Sequence, residues 1–299
     1  MEATLEQLFN GVSLASVLLL IALGLTFTFG QMGVINMAHG ELIMAGAFTP
    51  YVLQTKVGLL ASSSGLAFAI ALPVAFVVAG AMGFALERLI LRRMYGRPID
   101  TLLVTFGVSL ILQQLAKDLF GAPNVAVRTP SALSGRWEVA GFTMPHSRLF
   151  IVVLAALIVA TVWLLMRFLP QGRRMRAVMQ NRELAEVSGL ATRRMDTMTF
   201  VIGSGLAGVA GVAISLVGSI GFRIGSAYII DAFLVVIVGG LGKLRGAVLA
   251  AALLGLLNSY GEYVTSASIG KAIVFAFVIL FLQFRPNGIV SFRTRGLTA

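Results

Sequence analysis

The sequence predicts an all-α, polytopic membrane protein with about eight to nine transmembrane helices, and three observations predict it. Of the 299 residues, 58% are hydrophobic and 12% are charged, whereas soluble domains carry about 25% charged residues. Mean hydropathy is +0.94. The apolar residues also form continuous runs of roughly 20 residues, while a membrane β-barrel needs alternating strands of about ten.

The apolar runs are candidate spans because a helix in lipid satisfies every backbone N–H and C=O group within its own segment. The candidate runs are 8–29, 40–54, 65–86, 101–119, 149–169, 199–218 and 271–284. The stretch 231–264 is long enough to provide one or two more. We therefore expect residues 1–299 to form a single transmembrane domain.

The net charge of +11 is distributed as a topology signal. The basic residues lie between the apolar runs and have no aromatic residues stacked among them, which argues against a nucleic-acid partner. If the basic cluster at 88–97 is cytoplasmic, 16 of the 23 Lys and Arg residues lie on that side and 7 lie outside. The positive-inside rule then predicts a periplasmic N-terminus and a cytoplasmic C-terminus.

Two connections are longer than the others. The external loop at about 120–147 contains Pro123, Pro130 and Pro145, which favours an ordered surface loop over a further span. The cytoplasmic loop at about 170–195 has apolar residues at helical spacing and basic residues at both ends, which predicts a short amphipathic helix at the membrane surface. The alternative is a basic tether that only sets topology.

The motifs that resemble cofactor sites lack the sequence context that such sites need. "GSGLAG" (203–208) matches the dinucleotide pattern but lies in an apolar run with no strand before it, so close helix packing explains its small residues better. "SIGKA" (268–272) lacks the first glycine and the Ser or Thr of a P-loop. The chain has two histidines, His39 and His146, and no cysteine. We therefore expect no zinc site, no cofactor and no enzymatic activity.

Polar side chains at membrane depth form the candidate site. Most isolated Ser, Thr and Gln residues in a span only bond to backbone or to a neighbouring helix. A carboxylate costs about 2.5–3.5 kcal/mol at the bilayer centre, so Glu41 and Asp231 lie either near an interface or beside a polar cavity. Glycine-rich breaks at 30–36 and 239–246 permit discontinuous helices that line a substrate path. The candidate path residues are Gln31, Asn36, His39, Glu41, Thr105, Ser109 and Asp231.

Four segments carry a resemblance to a known family. They are "GQMGVINMAHGELIMAGAF", "TFGVSLILQ", "RAVMQNRELAEVSGL" and "AFLVVIVGGLGKLRGAVLAAALLGLLN". Over essentially its whole length, the chain is similar to the H-type permeases of the branched-chain amino-acid ABC-transporter family. Within that family, "GQMGVINMAHGE" together with the ending "FRPNGIV" is most similar to the urea-transporting permease B subunits.

The resemblance implies a set of partners and a coupling role. Family permeases lie in the lipid of the bacterial inner membrane with a second related permease, two cytoplasmic ATPase subunits and a periplasmic substrate-binding protein. ATP would bind on the partners, which agrees with the missing P-loop. A cytoplasmic coupling helix related to the E-A-A-x-x-x-G pattern falls within 170–195, although Leu184 interrupts the pattern. The coupling residues implied are Glu183, Ala185, Glu186 and Gly189.

Three functions stay open at this point. An ATP-driven importer of urea or a short neutral amide is favoured, because a zwitterion needs both of its charges compensated and both Glu41 and Asp231 are expected near interfaces. The first alternative is a permease for branched-chain amino acids. The alternative from another class is a stand-alone secondary transporter or channel, in which His39 and Glu41 relay protons.

Overall fold

A computed structural model describes residues 2–57, 64–139 and 142–290 of the chain, and these residues form eleven α-helices and one short hairpin. The helices are α1 Glu2–Met32, α2 His39–Lys56, α3 Ser64–Leu89, α4 Pro98–Phe120, α5 His146–Phe168, α6 Pro170–Gln180, α7 Arg182–Val187, α8 Thr192–Ile214, α9 Ile224–Gly239, α10 Leu244–Val264 and α11 Ala267–Phe284. The hairpin pairs β1 Arg136–Val139 with β2 Phe142–Pro145 in antiparallel register. It lies in the loop expected at about 120–147.

The predicted all-α, polytopic fold is confirmed. Among the described residues, seven helices are long and apolar enough to cross a membrane, namely α1, α3, α4, α5, α8, α10 and α11. Helix α2 has 18 residues but is less apolar than these seven, and α9 is apolar but has only 16 residues; both pack among them. The described bundle therefore has nine helices, of which seven qualify as membrane spans, against the eight to nine spans predicted. Helices α6 and α7 lie outside the bundle.

The stretch 231–264 divides into two helices at residues 240–243. Gly240 and Gly242 adopt positive φ values of +93° and +73°, a conformation that glycine reaches without a steric penalty. The chain therefore turns sharply, and α10 packs back against α9. The approach is close, because a Cβ added to Gly239 would lie 2.6 Å from the carbonyl carbon of Gly246.

Small residues on α8 allow three helices to contact it closely. A Cβ added to Gly203 would lie 2.8 Å from the carbonyl oxygen of Gly24 on α1, and one added to Gly208 would lie 2.7 Å from Cβ of Ala79 on α3. Gly211 meets the backbone of α2 in the same way. These contacts explain the glycines of "GSGLAG" as a packing surface, since small residues let helix backbones approach each other in a membrane.

The segment predicted as one amphipathic helix forms two. Pro170 begins α6 at a position where its missing N–H costs no hydrogen bond. Asn181 then adopts an extended conformation and its side chain accepts a hydrogen bond from the Leu184 N–H at 2.9 Å, which caps the start of α7. Met179 packs against Gly30 and Gly242. Helices α6 and α7 thus lie on the face of the bundle where α1 and α9 end, called the α6–α7 face below.

Candidate functional site

The candidate site begins at the break between α1 and α2. Gly33, with φ +63°, follows the end of α1 directly, and residues 33–38 form an irregular connection before α2 begins at His39. The first turn of α2 lies inside the bundle, because His39 and Glu41 are each only 1% exposed. Glu41 is therefore a carboxylate buried among the helices, in the first turn of α2.

Polar side chains of α4 hold one oxygen of Glu41. Its Oε1 accepts hydrogen bonds from the Ser109 hydroxyl at 2.8 Å and from Nε2 of Gln113 at 2.9 Å. Nε2 of Gln113 also lies 3.0 Å from the hydroxyl of Ser226 on α9. The second oxygen, Oε2, is buried and has no hydrogen-bond partner among the described residues. This site thus presents a fixed carboxylate with one open acceptor.

The connection itself is also tied to α4. Thr105, Ser109 and Gln113 are four residues apart and therefore share one face of α4. The Thr105 hydroxyl accepts a hydrogen bond from the Met37 N–H at 3.0 Å. Asn36 is 2% exposed, and within the described ranges neither its side-chain nitrogen nor its side-chain oxygen has a partner. Buried polar groups are normally hydrogen-bonded, and Asn36 thus has an open donor and an open acceptor within this break.

The two remaining predicted residues near the break contact α1 and α8. Nε2 of His39 lies 3.3 Å from the carbonyl oxygen of Ile21 on α1. The Gln31 amide donates a hydrogen bond to Oδ1 of Asp196 at 2.9 Å and accepts one from the Thr199 hydroxyl at 2.7 Å, both on α8. The structure therefore joins Gln31 to α8 rather than to Glu41.

Asp231 lies apart from the Glu41 cluster. Its Oδ2 is 3.5 Å from Nζ of Lys271 on α11, and its side chain is 20% exposed. Asp231 is therefore charge-compensated within the chain, and it faces α11, whereas Ser226 on the same helix faces α4. The structure does not bring Asp231 together with the other predicted path residues.

A second polar cluster links α7 to the bundle. Asp196 on α8 is fully buried, and the Arg182 guanidinium donates to both of its oxygens, at 2.6 and 3.2 Å. This hydrogen bonding raises the pKa of Arg182, which stays charged. Arg182 also lies over the Tyr95 ring at 5.8 Å. Burial, and then the hydrogen bond to Glu87, raise the pKa of Tyr95, so that its phenol donates to that carboxylate at 2.7 Å.

The four predicted coupling residues occupy different positions on α7. Ala185 is 5% exposed and packs with Met175, Val178 and Met195, which fastens α7 to α6 and α8. Glu183 is exposed. Glu186 accepts a hydrogen bond from Thr192 at 2.6 Å and lies 3.5 Å from Arg182. Gly189, with φ +80°, ends the helix, since its N–H bonds to the Glu186 carbonyl.

Sequence reasoning missed several members of these clusters. They are Arg182 and Asp196 in the second cluster, Glu87 and Tyr95 beside it, and Ser226 beside Gln113. A signal for Asp196 exists, because its carboxylate lies four residues before the apolar part of α8 and therefore needs a partner. Ser226 carries no such signal, since an isolated serine in a span usually bonds only to backbone.

Comparisons with known proteins agree with a transport role. The family described as branched-chain amino acid transport system permease component matches residues 7–282. The high-affinity branched-chain amino acid transport system permease protein LivH of Escherichia coli K12 is 32% identical over 296 residues, which cover 96% of this chain and 95% of that protein. The corresponding protein BraD of Pseudomonas aeruginosa is 30% identical with the same coverage. The permease protein LivM of Escherichia coli K12 is 26% identical, over 93% of this chain and 68% of its own length. No solved structure matches.

These relatives are transport components and not enzymes. Together with the seven membrane-length helices, these relatives show that the chain is a multi-pass membrane protein that takes part in transport.

Proposed function

The chain belongs to the family of branched-chain amino acid transport system permease components, and from that membership we propose that it is a membrane-spanning permease subunit of an ATP-driven importer. Residues 1–299 form a single permease domain in the bacterial inner membrane, with the α6–α7 face in the cytoplasm and the N-terminus in the periplasm. Its partners are a second related permease, two cytoplasmic ATPase subunits and a periplasmic substrate-binding protein. ATP hydrolysis takes place on the partners.

We assign branched-chain amino acids as the substrate class. The observation that carries this assignment is the match along nearly the whole chain to permeases named for branched-chain amino acid transport. The preference for urea that the sequence suggested depended on a lack of fixed charge at membrane depth. Glu41, which is 1% exposed among the helices, is one fixed charge that a zwitterion could use.

The polar groups near the break can compensate the charges of a zwitterion. An ammonium group that leaves water needs a compensating negative charge, and Oε2 of Glu41 is an open acceptor on a carboxylate already held by Ser109 and Gln113. The carboxylate of the substrate needs donors, and Nδ2 of Asn36 is an open donor within the connection. We assign Glu41 and Asn36 to substrate contact, with Thr105 and Ser109 as positioning residues.

Helix α7 carries the contact with the ATPase subunit in this proposal. Its outward surface, formed by Glu183, Leu184 and Val187, is exposed, with Leu184 63% and Val187 87% exposed. Ala185 and Arg182 hold its opposite side against the bundle. Movement of α7 is therefore transmitted to α8 and, through Gln31, to the end of α1 next to the break.

Uptake of labelled leucine and labelled urea at low concentration, in cells that lack this subunit, tests the substrate class. We expect loss of leucine uptake and unchanged urea uptake, with restoration by the wild-type chain. Glu41→Gln should fail to restore leucine uptake although the protein reaches the membrane. Glu262→Gln, which removes an exposed carboxylate, is the matched control and should restore it fully. Loss of urea uptake alone would overturn the assignment.

Urea or a short neutral amide is the second candidate. The segments "GQMGVINMAHGE" and "FRPNGIV" favour it, and the amides of Asn36 and Gln113 are suitable partners for urea because a neutral solute needs only hydrogen bonds. Under this candidate Glu41→Gln would retain most of the uptake. A stand-alone transporter or channel is distinguished by purification, since the proposed importer should co-purify with ATPase subunits.

A further inference from the structure

A cavity of about 530 Å³ opens on the α6–α7 face, away from the Glu41 cluster. Four cationic side chains line it, and they come from three separate segments: Arg167 at the end of α5, Arg176 on α6, and Lys243 with Arg245 at the start of α10. The fold therefore gathers charges that are up to 78 positions apart in the chain. This feature is called the basic cavity below.

Most of the charge in the basic cavity is not balanced by the described part of the chain. None of its described lining residues is acidic. Arg167, Arg176 and Arg245 form no ion pair with any described carboxylate. Desolvation lowers the pKa of Lys243, so keeping this lysine charged at its site has a free-energy cost. Like charges held around one cavity repel each other, and an anion inside it would relieve both effects.

The walls of the basic cavity are apolar and aromatic. Phe27, Trp163 and Met166 line it, and the Arg167 guanidinium lies 5.0 Å from the Trp163 ring. Trp163 is 40% exposed on the outer surface of α5, and tryptophan beside arginine is typical of the membrane interface. A second, largely apolar cavity of about 300 Å³ shares Phe27, Met166 and Met179 with the first, so apolar space continues beyond the charged region.

We propose that the basic cavity binds the phosphate group of an anionic membrane lipid. The four cations and the open volume suit a phosphate, which a free phosphate ion or a lipid headgroup can provide. The apolar walls and the adjoining apolar cavity favour the lipid, because they offer its acyl chain a place next to the charged headgroup. Basic pockets between membrane helices recognise anionic headgroups in this way.

Tryptophan fluorescence offers a direct test, because Trp163 lies in the cavity wall. The chain has two tryptophans, and Trp137→Phe leaves Trp163 as the only one. The purified full-length variant is titrated in detergent with phosphatidylglycerol that carries brominated acyl chains, which quench a tryptophan in contact with them. Brominated phosphatidylcholine with the same chains is the zwitterionic comparison. We expect saturable quenching at a much lower concentration of phosphatidylglycerol than of phosphatidylcholine.

Charge removal then tests the site itself. Arg176→Gln should raise the phosphatidylglycerol concentration at half-maximal quenching about fivefold, and Arg176→Gln with Arg245→Gln about 25-fold, because each basic residue near a lipid headgroup contributes about that factor. Arg174→Gln is the matched control, since Arg174 lies exposed on the same helix outside the cavity lining. It should change the value by less than about twofold. The emission maximum of Trp163 in each variant without lipid is compared with that of the parent protein to verify folding.

Three results would overturn the proposal. Equal quenching by the two lipids would show that no anionic headgroup is selected. Equal effects of Arg176→Gln and Arg174→Gln would place the binding outside this cavity. Full relief of quenching by inorganic phosphate, but not by chloride at the same ionic strength, would identify a free phosphate as the occupant. Retention of phosphatidylglycerol by the purified chain, lost with the double substitution, would support the proposal.

Discussion

The carboxylate of Asp196 is fully buried, and Arg182 on the surface helix α7 donates hydrogen bonds to both of its oxygens at 2.6 and 3.2 Å. Gln31 binds the same carboxylate from α1. A surface helix and two membrane helices therefore meet at one buried charge. This arrangement leads to the first prediction.

Arg182→Gln should destabilise the protein by up to about 3 kcal/mol, because it leaves the Asp196 carboxylate buried without its cation. The value is at the low end for buried pairs, since the Arg182 side chain is 35% exposed. The double variant Arg182→Gln with Asp196→Asn should recover part of the loss, because no unpaired charge remains. Thermal unfolding midpoints of the purified proteins test this, with Arg194→Gln as an exposed control.

The same substitutions should also weaken the stimulation of ATP hydrolysis by substrate in the reconstituted importer. We expect Arg182→Gln to lower substrate-stimulated hydrolysis more than basal hydrolysis, since α7 loses its polar attachment to α8. A purely structural role would lower both in proportion to the amount of folded complex. That proportional result would count against transmission through this pair.

The exposed apolar residues of α7 should be needed for contact with the ATPase subunit. Val187→Asp with Leu184→Asp should leave insertion and fold intact, because both side chains point outward, and should abolish substrate-stimulated ATP hydrolysis. Ser188→Asp, at an exposed neighbouring residue, is the control. Wild-type stimulation in the double variant would exclude this surface as the coupling contact.

Close packing between α2 and α8 should make Gly46 intolerant of any side chain. A Cβ at Gly46 would lie 2.6 Å from Cα of Gly208, closer than real contacts allow, so Gly46→Ala should lower the unfolding midpoint and the yield of assembled complex. Gly208→Leu should do the same at the contact with α3. Gly107→Ala on α4 is the matched control, because nothing lies within 4 Å of the added methyl group. It should be neutral or stabilise by up to about 1 kcal/mol.

The orientation of the chain is testable by cysteine labelling, because the sequence has no native cysteine. Thr4 and Gln180 are both exposed. Thr4→Cys should react with an impermeant maleimide in cells whose outer membrane is permeabilised but whose inner membrane is intact. Gln180→Cys should react only after the inner membrane is opened. The opposite pattern would invert the proposed topology.

The sequence by itself was sufficient to predict the class of protein and the positions of most of its helices. Hydropathy is a local property, since each span must satisfy its backbone within its own segment, and runs such as 65–86 and 149–169 correspond to α3 and α5. The division of 231–264 was open in the sequence, and the positive φ values at Gly240 and Gly242 resolve it. The concentration of polar residues between Gln31 and Glu41 likewise indicated a break before its geometry was known.

Only the tertiary structure decided which polar groups meet. Gln31 and Asp196 are 165 positions apart, and Glu41 and Ser109 are 68 apart, so no periodicity links them. Asp231, predicted in the path, pairs with Lys271 instead. The physical reason is that a buried polar group must be satisfied by whatever helix packs beside it, and the order in which the helices pack depends on side-chain shape across the whole bundle. The open Oε2 of Glu41, on which the substrate proposal depends, is a consequence of that packing.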